Sequence, residues 1–400
     1  MRIGMMTDTY KPYISGITNY IALNKRYLEA AGHEVFIFTL GDLDYKDDES
    51  NIIRSPGMPL GETGFYLNVQ YSPEAKKLLQ SMDLVHAHHP FLSGLLALRY
   101  CRPRGIPVIF TNHTRYDLYA QAYLPLLPEE ISDTMLETYM PPFCDAVNMV
   151  ISPSPGMEKI LRQLQVKSHV EVIPNGVDMH LFQDLTPLER ADFNFSNDDI
   201  LLIYAGRLAP EKNLDLLLKA FNGVAQAVPH TRLLLLGDGP SREKLAEQAR
   251  QSKAAERIHF VGMVDYEKMP GYLAMCDAFV TASVTEVHPL SVIEAMGASL
   301  PIVGIESPGV GDSVEDGVSG FLSDNDLATF TAKLTRLCLD RDLRLRMGSA
   351  AREASTRYAI ERTTTSMIAL YEKVVEDAYL FHEDHEMTLR KLLDRILAND

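Results

Sequence analysis

Two glutamates eight positions apart give this 400-residue sequence its clearest chemical signal. Glu286 follows a predicted strand and Glu294 falls on the helix behind it, within SVTEVHPLSVIEAMG at 283–297. Carboxylates accept hydrogen bonds from neighbouring hydroxyl groups, so a sugar or a ribose is a natural partner. The bland alternative makes them ordinary charges of a loop and a helix surface. Because Glu294 stands among apolar residues, where a charge needs a partner, we favour a binding role.

Two cations follow a strand in the same half of the chain. Arg207 and Lys212 lie in GRLAPEKNL at 206–214, between a predicted strand and the start of a helix. Arginine offers a forked set of donors and lysine a point charge, which together suit a diphosphate. The alternative is a solvated loop in which Glu211 pairs with Lys212. The position between strand and helix favours anion binding.

Further candidates follow strands in the first half. Gly16 opens a predicted helix, where a glycine lets a phosphate approach the backbone, although a plain turn glycine is comparable. His113, in TNHTRYDLY at 111–119, could hydrogen-bond a substrate hydroxyl or serve only the structure. The histidines of VHAHHP at 85–90 lack the spacing of a zinc site, so we predict no metal.

Alternating strands and helices position these residues. The alternation runs through about the first 175 residues, breaks at a polar stretch over 182–199, and resumes at ILLIYA, residues 200–205. This pattern predicts two doubly wound α/β domains with a cleft between them, and ligands sit beyond the carboxyl ends of such strands. The predicted elements that matter below are a helix over 128–139, a strand over 146–152 and helices over 361–380 and 383–397.

Composition excludes several classes of protein. Thirty-eight Lys and Arg against 54 Asp and Glu give a net charge of -16, which disfavours binding to nucleic acid. The four cysteines form no CxxC pair and are typical of reduced thiols in the cytoplasm. The amino terminus starts directly on a predicted strand, so we predict no signal peptide, and we find no apolar run long enough to span a bilayer.

The ordered set of motifs resembles the retaining glycosyltransferases of family 4, which have the GT-B fold. The resemblance spans the whole chain. Its motifs are the Gly16 loop, TNHT at 111–114, IPNGVD at 173–178, AGRLAPEKNL at 205–214, GDGP at 237–240, FVG at 260–262, and the two glutamates with LPIVG behind them. It implies two Rossmann-like domains facing across a cleft: an acceptor domain over 1–178, to which helices over 358–400 cross back, and a nucleotide-sugar domain over 179–357.

The resemblance also implies a role for each site residue. Glu294 would bind the ribose and Glu286 the donor sugar, while Arg207 and Lys212 would hold the diphosphate. The backbone at Gly16 and Leu290 would assist them. The remaining donor contacts would be His113 at the sugar, Gly262 and Met263 near the base, and Pro289, while His288 would lie against the sugar or the acceptor. No cofactor or metal would be required, and the anomeric configuration would be retained. The family often has Gly-Phe or a similar pair after the first glutamate, whereas here it is Val287-His288, so donor selection stays open.

The sequence indicates the acceptor less clearly than the donor. Asp8, Tyr116 and Tyr119 are the predicted acceptor residues, and the apolar loop after them, AQAYLPLLP, is similar to enzymes that glycosylate diacylglycerol. We therefore expect transfer of glucose from a UDP-sugar to a hydroxyl, with a lipid acceptor and peripheral contact with the inner face of the cell membrane. A soluble sugar or small-molecule acceptor remains an equal alternative, because an acidic chain is not typical of proteins that bind anionic membranes. From other classes, a nucleotide-sugar epimerase and a non-catalytic nucleotide-sugar-binding protein remain alternatives.

Overall fold

The computed structural model describes residues 1–59, 66–68, 70–116, 118 and 129–397. Tyr119 and residues 120–128, for which the sequence predicts an apolar loop, lie outside these residues. Two parallel sheets organise the chain, one in each half, which confirms the predicted α/β class.

The first sheet is built from short apolar strands. Its strands and a small antiparallel ribbon (β4 with β5) are β1 Arg2–Met6, β2 Glu34–Leu40, β3 Ile52–Ser55, β4 Met58–Pro59, β5 Tyr66–Leu67, β6 Leu84–Ala87, β7 Val108–Thr111, β8 Met149–Ser152 and β9 Val170–Val172. The sheet order is β3-β2-β1-β6-β7-β8-β9. Helices cover it: α1 Gly16–Ala30, α2 Pro73–Leu79, α3 Leu92–Cys101, α4 Glu129–Ala146 and α5 Pro155–Gln163. Most of its central strands are buried throughout, as parallel strands covered on both faces must be.

The second sheet repeats this architecture. Its strands are β10 Ile200–Ala205, β11 Thr231–Leu236, β12 Ile258–Gly262, β13 Ala278–Thr281, β14 Ile302–Ile305 and β15 Gly320–Ser323, in the order β12-β11-β10-β13-β14-β15. Its helices are α6 Leu214–Ala227, α7 Arg242–Arg250, α8 Met269–Met275, α9 Leu290–Gly297, α10 Pro308–Ser313, α11 Leu327–Leu339 and α12 Arg341–Ser355.

Each sheet reverses its strand order once beside its first strand. β1 lies between β2 and β6, and β10 lies between β11 and β13. The connections leaving neighbouring strands on the two sides of such a point diverge and leave a crevice for ligands. The loop after β1, the loop after β10 and the loop after β13 hold most of the predicted site residues.

The last helix, α13, runs from Ile360 to Leu397 as a single element. It packs on α1, and its Met367, Leu370 and Tyr371 belong to the core of the first sheet. The predicted break between helices at 381–382 was therefore wrong. No helix in the described part of the chain is long and apolar enough to cross a membrane.

Other predicted boundaries also shift. The helix predicted over 128–139 continues through Pro141 and Pro142 to Ala146 as α4, and the following strand starts only at Met149. Buried Met140, Phe143 and Cys144 anchor this extension, so packing overrides the helix-ending tendency of the prolines. The short elements β15 and α10 were not predicted.

Candidate active site

Lys212 and Glu286 form an ion pair at the switch point of the second sheet. The connection after β10 ends in a 3-10 turn at Pro210–Lys212, and Glu286 lies in the connection from β13 to α9. Because β10 and β13 are neighbours, their connections meet, and Lys212 Nζ lies 2.7 Å from Glu286 Oε1. Both side chains are mostly buried. Burial lowers the pKa of Lys212, but the charge and hydrogen bond of Glu286 outweigh it, so the net shift is upward and the ammonium stays charged.

Arg207 lies on the connection that carries Lys212. It is exposed, and its carbonyl accepts a hydrogen bond from the Tyr204 hydroxyl at 3.0 Å. This bond fixes the backbone at the point where the chain leaves β10. Two cations thus follow one strand, as the sequence predicts.

Glu294 is 7% exposed on α9. Its Oε1 accepts a hydrogen bond from the Tyr266 hydroxyl at 3.0 Å. Burial raises the pKa of Glu294 to about 7, and the tyrosine bond opposes this shift only in part. The carboxylate therefore sits where further hydrogen-bond donors would stabilise its charge.

Tyr266 is a residue that the sequence analysis missed. It opens a 3-10 turn at Tyr266–Lys268, four positions after Gly262, and its side chain is partly exposed. Gly262 ends β12 with φ +88°, a left-handed conformation that favours glycine, and Met263 beside it is 61% exposed. The loop predicted to meet the base thus also delivers the partner of Glu294. The one sequence feature that could have indicated Tyr266 is its position shortly after the loop predicted to meet the base.

Val287 and His288 join the two halves of the chain. Val287 is buried in a cluster with Phe110 and Met157 of the first half. Asn175 donates its backbone N–H to His288 Nδ1 at 3.2 Å, and its Nδ2 donates to the His288 carbonyl at 2.9 Å. Burial lowers the pKa of His288 to about 3, and the ring packs edge-on against Tyr358. The His288 ring, predicted to face the sugar or the acceptor, is thus engaged by Asn175 and Tyr358 at the contact between the two halves.

Pro289 and Leu290 form the start of α9. Pro289 is the residue before the helix and Leu290 its first residue. The first N–H groups of a helix have no partner within it, so this end can receive an anion.

A second contact between the halves joins Asp312 to Gly156, where Asp312 Oδ2 accepts from the Gly156 backbone N–H at 2.6 Å.

His113 belongs to a group of histidines at the ends of β6 and β7. Its Nε2 lies 3.0 Å from His88 Nδ1, and the Tyr20 ring packs edge-on against it at 4.7 Å between centroids. Burial lowers the pKa of both histidines, so both rings are neutral. Across the described ranges, no group of three or more His, Cys, Asp or Glu side chains is arranged to hold a metal ion.

The remaining predicted residues lie around the end of β1. Gly16 begins α1 behind a Ser15–Thr18 capping box, and a Cβ added to it would meet nothing within 4 Å. This leaves open space beside the helix start. Asp8 is 5% exposed, and its Oδ1 accepts the Ser93 backbone N–H at 2.7 Å, which ties it to the first turn of α3. Tyr116 packs edge-on against Phe91.

The structure thus brings the predicted residues into separate groups. Lys212 pairs with Glu286 in the second half, and Glu294 pairs with Tyr266. His113 pairs with His88 in the first half. The Val287-His288 contact lies between the halves, next to Glu286 in the chain, and so places the Glu286 carboxylate near their junction.

Comparisons with known proteins identify the family. The family model described as Glycosyltransferase Family 4 matches residues 14–181, and the one described as Glycosyl transferases group 1 matches residues 186–354. The alpha-monoglucosyldiacylglycerol synthase of Streptococcus pneumoniae is 31% identical over 82% of this chain and 77% of its own length. That of Acholeplasma laidlawii is 29% identical over 82% and 86%.

The fold is found in solved structures as well. The crystal structure of Anabaena HepE in complex with UDP and glucose superposes with a TM-score of 0.75 at 20% identity, covering 93% of this chain and 100% of that one. The chain therefore belongs to the family 4 (group 1) glycosyltransferases of the GT-B fold, and it is a glycosyltransferase.

Proposed function

We propose that this enzyme transfers glucose from UDP-glucose to the hydroxyl of diacylglycerol and retains the α configuration. The similarity to two alpha-monoglucosyldiacylglycerol synthases over 82% of the chain carries the proposal. The UDP and glucose held by HepE support the same donor here. An α-linked donor that yields an α-linked product implies retention.

The contacts of the second half support the donor roles. The buried ammonium of Lys212 and the exposed Arg207 would hold the diphosphate, while the start of α9 would add its unpaired N–H groups. Glu294 would accept the ribose hydroxyls beside Tyr266, and Glu286 would accept hydroxyls of the sugar. Holding the departing diphosphate with fixed cations and helix dipoles would be the largest contribution to catalysis.

The reaction step follows from these roles. The acceptor hydroxyl would attack the anomeric carbon from the face that the diphosphate leaves. A departing phosphate oxygen would take the hydroxyl proton, so that the bond to the lipid forms as the bond to the phosphate breaks. Glu286 is already engaged by Lys212, which favours a role in binding over one as a nucleophile.

A mixed apolar and basic face on α2 and α3 supports a lipid acceptor. On α3 the exposed positions Phe91, Leu95 and Arg99 recur every four residues, so they share one side of the helix. Further exposed cations follow α3, namely Arg102 and Arg104, or lie on α2, namely Lys76 and Lys77. This group, the α2–α3 face, is basic in a chain of net charge -16. Such a face suits an anionic bilayer surface, and it starts beside Asp8 at the site.

The α2–α3 face also gives the enzyme a place in the cell. We propose peripheral contact with the inner face of the cell membrane, where a UDP-sugar and a lipid can meet. The four cysteines are free and buried, as is typical of a reducing compartment.

We also propose the domain division. Residues 1–178 together with 358–400 would form the acceptor domain, and residues 179–357 the nucleotide-sugar domain. The bridge between Val177 and Ala359 supports these limits, because the chain leaves and re-enters the first domain side by side.

The test is transfer into vesicles. The purified protein is incubated with UDP-glucose and vesicles of diacylglycerol in anionic phospholipid, and the extracted lipids are analysed by mass spectrometry and proton NMR. We expect monoglucosyldiacylglycerol with an α linkage. A β-linked product would refute retention, and glucose transfer only to soluble acceptors would refute the lipid acceptor. UDP-galactose and ADP-glucose serve as donor controls.

A further inference from the structure

His88 is a buried histidine to which the reaction assigns no role. It directly follows β6, is 0% exposed, and its Nδ1 lies 3.0 Å from Nε2 of His113. Its other nitrogen, Nε2, is buried and has no hydrogen-bond partner within the described part of the chain. A buried polar atom without a partner calls for an explanation.

Each neutral ring carries one N–H, so the hydrogen bond between His88 and His113 can run in only two directions. If His113 Nε2–H donates to His88, then His88 carries its own proton on Nε2, where a buried N–H has no acceptor. If His88 Nδ1–H donates to His113, then His88 Nε2 is a bare lone pair. An unpaired buried N–H is costly and is rarer than an unused acceptor. The second arrangement is therefore favoured.

We propose that His88 is a positioning residue that donates its Nδ1–H to His113 and so holds the proton of His113 on Nδ1. His113 then meets the donor sugar as a hydrogen-bond donor instead of a base. This inference rests on the proposed contact between His113 and the sugar. It agrees with the proposed step, in which the departing phosphate takes the acceptor proton.

The surroundings of His88 fix its ring in place. The His86 ring lies against it at 4.3 Å between centroids. His86 is itself held at both nitrogens, by the hydroxyls of Tyr371 and Thr111, each at 2.6 Å. Tyr20 packs edge-on against His88 and His113. A ring held on several sides cannot turn about its Cβ–Cγ bond, so Nδ1 of His88 stays directed at His113.

The first test reads the position of the proton. Long-range ¹H–¹⁵N spectra of protein labelled at histidine distinguish a protonated from a bare ring nitrogen. The His113 signals are assigned by their absence in His113→Gln. We expect Nδ1 of His113 to be protonated in the wild-type protein. Protonation of His113 on Nε2 instead would overturn the proposal.

The second test reads the consequence for turnover. His88→Leu removes the donor, whereas His88→Asn can place an amide N–H near the position of Nδ1. We expect His88→Leu to lower kcat about tenfold or more with little change in donor KM. In this variant the proton of His113 should no longer be held on Nδ1. His88→Asn should recover most of kcat. His169→Asn, at an exposed histidine, is the matched control.

The outcomes separate this inference from the proposed function. Wild-type kcat in His88→Leu would overturn the positioning role. Normal turnover by His113→Gln would refute the sugar contact of His113, and with it the functional half of the inference. The proton position is measured without substrate, so it stands whichever donor or acceptor proves correct. If His88→Leu does not fold, the wild-type spectrum and His88→Asn still decide.

Discussion

The ammonium of Lys212 and the carboxylate of Glu286 lie 2.7 Å apart although 74 positions separate them in the chain. Neighbouring parallel strands make this contact, because each residue follows the end of one of them. The charge of Lys212 is thus balanced by the carboxylate of Glu286. A bound diphosphate would share this cation with Glu286, which keeps Lys212 charged and in place before the donor arrives.

Loss of Lys212 should abolish most donor use. We expect Lys212→Ala to lower kcat/KM by roughly 10²–10³, because one fixed cation is removed from the leaving group while Glu286 loses its partner. Glucose transfer from UDP-glucose is the measurement. Lys244→Ala, at an exposed lysine paired with Asp215, is the matched control. Near-wild-type transfer or donor hydrolysis by Lys212→Ala would sink the assigned role.

Donor affinity should depend on the ionisation of Glu294. Burial raises its pKa to about 7, and ribose hydroxyls donate better to the charged carboxylate. The affinity for UDP-glucose should therefore weaken as the pH falls below 7, by up to about tenfold per pH unit. The diester phosphates of UDP-glucose do not titrate in this range. Isothermal titration calorimetry with UDP-glucose at several pH values tests this. Glu294→Gln should bind UDP-glucose weakly, with an affinity that does not change with pH.

The same carboxylate should limit stability at high pH. The pKa of Glu294 rises from 4.5 to about 7 on folding, so the folded chain holds this proton more tightly than the unfolded chain. Its stabilising contribution is complete below 4.5 and is lost as the pH rises through 7. Glu294→Gln cannot ionise and keeps an acceptor for Tyr266. Relative to wild type it should gain on the order of 3 kcal/mol between about pH 4 and pH 8.

Urea unfolding at the two pH values measures this gain. The exposed Glu267, on the same turn as Tyr266, supplies the control variant Glu267→Gln, for which we expect no pH-dependent difference. An equal effect of Glu294→Gln at both pH values would mean that the carboxylate ionises as freely in the folded protein as in the unfolded chain.

Replacement of His288 should weaken the junction of the two halves. His288→Leu leaves the buried N–H of Asn175 without its acceptor, which should cost about 1–3 kcal/mol of unfolding free energy. His169→Leu, at an exposed histidine, should change stability by less than about 0.5 kcal/mol. If His288→Leu instead leaves stability intact and weakens donor binding, the ring faces the ligand as the sequence indicates.

The α2–α3 face should direct binding to anionic vesicles. Arg102→Ala should cost about 1 kcal/mol, roughly a fivefold loss of partitioning, because each cation near the surface contributes that much. Leu95→Ser should weaken binding at high salt as well, since its contribution is apolar. Co-sedimentation measures both, with Arg346→Ala and Leu345→Ser on exposed positions of α12 as controls. Equal binding by all four variants would place the membrane contact elsewhere.

The sequence predicts the sheets well because their strands are continuous apolar runs. The segment ILLIYA becomes β10 at the predicted bounds, and VIFT becomes β7. The residues that follow these strands are also where the site lies, since the topology of a doubly wound sheet dictates that place. Local pattern fails for β15, which is short and partly polar, and for α4, where buried side chains carry the helix past Pro141 and Pro142.

The contacts within the site could not be predicted in the same way. The sequence indicates that Glu294 needs a partner, but only the turn after Gly262 brings Tyr266 to it. Val287-His288 departs from the usual family pattern, and both residues contact the other half of the chain, which no local pattern indicates. His86 and Tyr371 are 285 positions apart, and no local pattern encodes their hydrogen bond.

The presence of Tyr371 in the first sheet's core bears on how the protein is made. Ile3 and Met5 emerge from the ribosome long before Met367, Leu370 and Tyr371, which pack in the same cluster. The core of the first sheet therefore keeps apolar surface uncovered until these residues of α13 have been made. During that interval the nascent chain is open to aggregation or to capture by a chaperone.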